Sequence, residues 1–390
     1  MIGWELPPFN SGGLGVASLG LAKALSEKGA KITFVLPRKL KLNYDFMHLL
    51  FANVEEAELL MSSYTTSHNL KQAFEIDDNE TPWDYVNGAL KFGESVGKVI
   101  KKTRFDLIHA HDWLAFPAGV MAKKTSGKPM VVHIHSTEYD RTGGHNPNPH
   151  VYKIEKNGMI IADKVLPVGG FMKNVLVNNY NIDPEKIKVV YNGIEENITN
   201  NLPPALSMYK EMGYKIILYL GRITLQKGPE YFVWTAKKVL QYYPKVLFVV
   251  TGSGDMQDYM IGEAGRLGIL ENFLFTGFLR GDEKNRIYQS ADLYVMPSVS
   301  EPFGITSLEA AANGTPVLMS KQSGVSEIFS NALKADFWDI DEMANKILAV
   351  LNYDALHNDL INESGKEIKN FTWGKSADEV MEIYKQLLGS

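Results

Sequence analysis

Short runs of β-branched and aliphatic residues alternate along most of this chain with stretches whose apolar residues recur every three or four positions. The runs predict strands and the periodic stretches predict helices; their alternation is the signature of a parallel sheet wrapped by helices. In the first half, strands are expected at 31–36, 105–110, 130–134, 165–168 and 187–191. A helix is expected over 14–28, where Leu14, Ala17, Leu21, Ala24 and Leu25 share a face and Gly29 supplies the stop. The stretch 43–87 breaks the alternation and, rich in Tyr, Phe and carboxylates, reads as an insertion or loop region. At 195–213, around Asn200-Asn201-Leu202-Pro203-Pro204, the pattern lapses into linker chemistry. A second series follows, with strands expected at 215–220, 246–251, 273–276, 293–296 and 316–319. One helix between them, 230–243, has Phe232, Ala236, Val239, Leu240 and Tyr243 on one face, and the chain ends in a helix near 375–388.

The expected fold class is therefore α/β: two doubly wound, Rossmann-like domains with parallel sheets, facing one another across a cleft. The boundaries are 1–194, a linker at 195–213, 214–372, and a terminal helix at 373–390. Ligands of such sheets bind beyond the carboxyl ends of the strands, so the chemistry is sought in the loops that follow strands.

Composition narrows the function classes. A chain of 390 residues suits two domains, and 45% hydrophobic with 22% charged residues is ordinary for a globular protein. A net charge of −5 gives no electrostatic reason to expect a nucleic-acid partner. With no cysteine, disulfides and thiolate metal sites are excluded. No apolar run has the length of a membrane span, and Met1-Ile2-Gly3-Trp4-Glu5 does not open like a signal peptide, so a cytoplasmic location is expected. The first strand would hold only about four residues before its loop, near the short end of strand lengths, so further residues upstream are expected.

Three loops suit phosphate. Ser11-Gly12-Gly13-Leu14-Gly15 opens the first helix, where glycines admit close approach and the helix start favours anions; Gly13 and Gly15 are its candidates. Ser18 stands where a dinucleotide fingerprint would need a third glycine, which argues against a nicotinamide dehydrogenase. In Gly221-Arg222-Ile223-Thr224-Leu225-Gln226-Lys227-Gly228, Arg222 and Lys227 offer two fixed charges for a diphosphate where a strand ends. Thr251-Gly252-Ser253-Gly254 follows another strand, and Gly252 is its candidate.

The most informative stretch is Glu301-Pro302-Phe303-Gly304-Ile305-Thr306-Ser307-Leu308-Glu309. Pro302 biases Glu301 toward extended backbone, outside the helix that follows. Gly304 frees the turn, the amides near Ile305 and Thr306 open the helix, and Glu309 leans back toward that start. Each carboxylate can accept hydrogen bonds from two sugar hydroxyls. Here the chain resembles the retaining GT-B glycosyltransferases, especially carbohydrate-active family 4, and the likeness runs through the Gly-Gly-Leu-Gly loop, Arg222, Lys227 and the glutamate pair. The resemblance implies that Arg222 and Lys227 hold a diphosphate, Glu309 the ribose, and Glu301 the donor sugar. It further implies that the amides of Phe303, Gly304 and Ile305 support sugar and phosphate, that backbone near Phe278 and Leu279 reads the base, and that the terminal helix packs back onto the first domain.

Two His-x-His pairs close adjacent strands: His109-Ala110-His111-Asp112-Trp113 and His133-Ile134-His135-Ser136. Alternation puts each pair on one face, so a metal site with Asp112 is a rival reading. By resemblance, the first stretch is similar to glycogen and starch synthases and places Asp112 near sugar and acceptor. His135 matches the family's histidine on the donor sugar, His109 and His133 read as structural, and Asp140 and Arg141 read as facing the acceptor. Asn10 and the stretch Lys321-Gln322-Ser323-Gly324 depart from family 5 and favour family 4. Asp339-Ile340-Asp341 reads as a helix N-cap with first-turn acid rather than a metal motif.

The expected reaction is metal-independent and needs no cofactor. A hexosyl unit moves from a nucleotide sugar such as UDP-glucose or ADP-glucose to a carbohydrate acceptor, an α-glucan by the glycogen synthase likeness. A leaving diphosphate stabilised by fixed donors is one route to retention, and a covalent intermediate on a carboxylate is the other. Two rivals stand. The basic runs at 37–42 and 98–104 suit weak contact with an anionic membrane surface and a lipid or cell-wall acceptor. A non-catalytic sugar-nucleotide-binding protein would keep the donor site without turnover.

Overall fold

The computed structural model describes residues 1–7, 12–54, 83–195 and 204–389. They group into two units, Met1–Gly193 with Thr372–Ser390, and Ile194–Phe371. In the first unit the elements run α1 (Gly13–Glu27), β1 (Ile32–Leu36), β2 (Met47–Phe51), α2 (Trp83–Val99), β3 (Ile108–His111), α3 (Phe116–Ser126), β4 (Met130–Ile134), α4 (Glu138–Arg141), α5 (Pro149–Ile161), β5 (Lys164–Pro167) and α6 (Gly170–Tyr180). The second unit holds α7 (Pro204–Glu211), β6 (Lys215–Leu220), α8 (Pro229–Tyr242), β7 (Val246–Thr251), α9 (Gln257–Arg266), β8 (Phe273–Gly277), α10 (Gly281–Ser290), β9 (Leu293–Met296), α11 (Ile305–Ala312), β10 (Val317–Ser320), β11 (Leu333–Ala335), α12 (Ile340–Asn352) and α13 (Asp354–Glu367). The last helix, α14 (Trp373–Leu388), belongs to the first unit.

All strand pairs are parallel. In the second unit the order is β11-β10-β9-β6-β7-β8, so the winding reverses between β6 and β9. In the first unit β1-β2 and β3-β4-β5 are joined by one residue: Ile2 bridges Val35 on one side and Ala110 on the other. Its amide donates to His109 O at 2.8 Å and its carbonyl accepts from His111 N at 3.0 Å. The expected first strand thus shrinks to a single stitch, at the point where this sheet reverses.

The apolar face expected for the first helix is buried, Leu14, Ala17, Leu21, Ala24 and Leu25 alike. On the same helix Gly20 receives the indole of Trp373, so closely that a Cβ there would lie 2.4 Å from the ring. Asp339 caps α12 by accepting from Glu342 N, with Asp341 and Glu342 in the first turn, as its spacing predicts. Among the described residues no helix is long and apolar enough to cross a membrane.

Several expectations are corrected. The strand expected at 187–191 is a bridge from Ile187 to Val165, because Val190 donates to Pro167 O and Pro167 has no N–H to return. Likewise β3 starts at Ile108 rather than at 105, since its first partner is the carbonyl of Pro129, which cannot donate. Within 43–87, β2 and the start of α2 are regular structure, and 55–82 lie outside the described residues. The segment expected as linker contains α7, with Leu206 buried; 196–203 lie outside the described residues.

Trp373 is 8% exposed, so Trp373→Ala empties the seat on Gly20 and is expected to destabilise the protein by about 3–5 kcal/mol. Urea denaturation read by far-UV circular dichroism checks this.

Candidate active site

The reversal between β6 and β9 leaves their two following loops side by side at the carboxyl edge of the second sheet, where open α/β sheets take ligands. Three successive loops are tied together there: Gly221 N donates to Thr251 O at 3.0 Å, Ile223 N to Ser253 O at 3.0 Å, and Gly252 N to Gly277 O at 2.9 Å. Side chains have no room at these crossings. A Cβ on Gly252, whose φ is +137°, would stand 1.9 Å from Gly221 O, and one on Gly254 2.2 Å from Ile223 O.

Arg222 is half-buried and donates to Gln226 Oε1 at 3.2 Å. Lys227 forms an ion pair with Glu301, which is 6% exposed and also accepts from Ser298 Oγ at 3.3 Å. Glu301 is extended, as Pro302 requires: it bridges Ser323 while its amide donates to Gln322 O at 2.9 Å. Gly304, at φ +105°, then turns the chain into α11 with no side-chain cap, leaving the helix start to its own amides. Phe303 is buried behind this turn and Ile305 is the first helical residue.

Glu309 lies further along α11, where Lys284 Nζ meets Oε1 at 2.6 Å and the Tyr288 hydroxyl donates to Oε2 at 3.1 Å. Tyr294 joins the parts: its hydroxyl donates to Thr306 Oγ1 at 2.8 Å, with Leu220 O at 3.2 Å. Burial first, and then the charges of Glu301 and Glu309, hold the Tyr294 phenol far above its ordinary range and keep it a donor. A small pocket beside it is lined by Tyr219, Lys227, Met296, Ser298 and Thr306. Leu279 sits in the loop after β8, half-buried next to the exposed Phe278, over which Arg280 lies at 5.1 Å.

In the first unit Gly13 opens α1 and is exposed, Gly15 is buried, and Ser11 lies outside the described residues. Asp112 follows β3 in left-handed backbone, φ +58°, a region that Asp enters more readily than most residues. Its Oδ1 accepts from His135 N at 2.6 Å and Ser136 N at 3.4 Å, while the buried Oδ2 has no hydrogen-bond partner. The carboxyl therefore fixes the loop that carries His135. Burial raises its pKa to about 7 against the pull of the His135 amide. Burial also holds His109, His111 and His135 well below the imidazole range and His133 at about 3, so all four rings are neutral near pH 7.

Asp140 and Arg141, read from the sequence as facing the acceptor, are both engaged within the first unit. Thr137 and Asp140 form a capping box on α4, and Arg141 pairs with Glu138 at 3.0 Å and Glu155 at 2.6 Å. Burial opposes that charge, but Glu155, Glu138 and Asp112 hold it on the guanidinium. Both residues brace the loop after β4, Arg141 also donating to Ser136 O at 3.3 Å. Sequence reasoning missed Lys284, Tyr288 and Tyr294; nothing in Gly281-Asp282-Glu283-Lys284 marks one lysine as special, and only the packing of α10 on α11 selects it.

Known proteins resemble this chain. The family described as glycosyltransferase family 4 matches residues 11–197, and glycosyl transferases group 1 matches residues 208–367. An uncharacterised glycosyltransferase of Methanocaldococcus jannaschii is 30% identical over 99% of this chain and 97% of its own. This chain belongs to the glycosyltransferases. A glycogen synthase of Mycobacterium tuberculosis is 26% identical over 98% of this chain and 93% of its own. Sucrose-phosphate synthase from Thermosynechococcus elongatus superposes with a TM-score of 0.77 at 18% identity, covering 100% of this chain and 98% of its own. The glycosyltransferase fold is thus GT-B, two α/β domains with parallel sheets.

Asp112 gives a pH signature. Its folded pKa, about 7, lies above the ordinary carboxylate value of 3.8, so its contribution to stability is complete below that lower value and is lost as pH rises through about 7. Asp112→Asn is expected to flatten the fall in unfolding free energy between pH 4 and 7, read from urea titrations at stepped pH. An unchanged pH slope would refute the assignment.

Proposed function

We propose that this glycosyltransferase moves a hexosyl unit, glucosyl in the first instance, with retention from a nucleotide-diphosphate sugar such as UDP-glucose or ADP-glucose to a carbohydrate acceptor, an α-glucan. The observation that carries the donor assignment is the pair of lysine-bound carboxylates, Glu301 with Lys227 and Glu309 with Lys284, set around the uncapped start of α11. A half-buried cation, a free helix start and two carboxylates suit a ligand that is anionic at one end and hydroxylated at the other. The relative named glycogen synthase supports the sugar and acceptor class.

In this reading Arg222 and Lys227 hold the diphosphate, and Lys227 exchanges Glu301 for it as the donor enters. Glu301 is then released to the sugar hydroxyls, and Glu309 takes the ribose. Amides of Phe303, Gly304 and Ile305 support the phosphate, Gly252 keeps its loop flat for close approach, and the backbone near Leu279 meets the base. In the first unit the amides around Gly13 and Gly15 are candidate anion donors, and His135, held by Asp112, is the candidate sugar contact. The bond from the anomeric carbon to the diphosphate oxygen breaks, and the acceptor oxygen bonds on the same face. The acceptor proton passes to the leaving phosphate. The stabilising charges are the protein's own, preorganised before the step, so neither a metal nor a cofactor takes part.

Saturation-transfer NMR with UDP-glucose, ADP-glucose, GDP-mannose and UDP-N-acetylglucosamine is expected to select one donor. Arg222→Ala is expected to weaken that signal and lower kcat about 10²–10³-fold. Absence of binding and hydrolysis with every donor would sink the reading.

A further inference from the structure

The histidines of the first unit are more than the donor reading uses. His109 and His111 project from β3 and His133 from β4, with His111 and His133 in direct register, and all three are buried. One ligand nitrogen from each can be chosen so that all lie within 4.8 Å of one another. Buried imidazoles ordinarily satisfy both nitrogens, yet His111 Nε2 and His133 Nε2 have no hydrogen-bond partner. Their other nitrogens are held: His109 Nδ1 by the Tyr384 hydroxyl at 2.6 Å, His111 Nδ1 by His135 Nε2 at 3.0 Å, and His133 Nδ1 by His109 Nε2 at 3.3 Å. An outer hydrogen bond on the second nitrogen fixes the tautomer and orientation of a metal-bound histidine, and Tyr384 supplies one to His109 and His135 one to His111.

We propose that His109, His111 and His133 bind one divalent transition-metal ion, zinc by the chemistry of the ligands, through one nitrogen of each ring. Three neutral imidazoles with an open fourth position form a known zinc donor set, and the absence of thiolates disfavours softer ions. On binding, the rings tilt from their parallel stack to bring nitrogen to about 2.0–2.1 Å from the metal. His109 Nε2 exchanges its long 3.3 Å contact with His133 for the ion. The site does not depend on the donor assignment and takes no part in the transfer step.

The test uses Co²⁺ as probe on the full chain, stripped with chelator and dialysed. Visible ligand-field bands are expected to rise to one equivalent and be displaced by Zn²⁺. Tyr384→Phe, which removes only the outer hydrogen bond on His109, is expected to weaken binding about 10–100-fold. His133→Thr is expected to abolish it, while the double variant of the exposed His145 and His150, both to Ala, leaves it intact. Should His133→Thr not fold, zinc-edge X-ray absorption of the wild-type protein decides by counting imidazole ligands. No stoichiometric binding, or binding lost only with His145 and His150, overturns the proposal. Water alone would then fill the orphaned nitrogens, and the donor titration would be unaffected.

Discussion

Parallel strand pairing is the constraint on which the rest of this molecule depends. A parallel sheet sends every carboxyl end to one edge, and each strand must return by a crossover before the next begins. Where the winding reverses, two loops leave neighbouring strands in opposite directions. In the second unit these are the loops of Arg222 and Glu301; in the first they follow Ile2 and His111. The first sheet meets the requirement with one stitched residue, which shows how little strand is needed once both neighbours are in place.

The chemistry at these edges divides by charge. In the second unit Glu301 and Glu309 are each matched to a lysine, Lys227 and Lys284. Removing one partner of such a pair is more damaging than the pair is stabilising, because a desolvated charge is left behind. In the first unit the buried strand ends carry four neutral rings, and Arg141 is paired with Glu138 and Glu155.

What was legible in the sequence follows from range. Pro302 and Gly304 act on their own backbone, so the extended Glu301 and the helix start behind it were readable. Asp339 caps three residues ahead and was readable for the same reason. The long-range partners were not: Glu155 meets Arg141 from another helix, and Lys284 meets Glu309 from another still, so Arg141 looked available and Lys284 looked ordinary. Strand ends failed where a proline silently removed a donor, at Pro129 and Pro167. The glutamate pair and basic loop carried the enzyme class because their spacing is local; the acceptor has no such local signature.

The crossings of the loops after β6 and β7 have an evolutionary corollary. With Gly221 O 1.9 Å from where a side chain at 252 would begin, and Ile223 O 2.2 Å from one at 254, neither loop can diversify without displacing the other. Variation is therefore channelled outward, to exposed positions such as Phe278. A library aimed at donor preference should be sparse at 252 and 254 and dense at the rim.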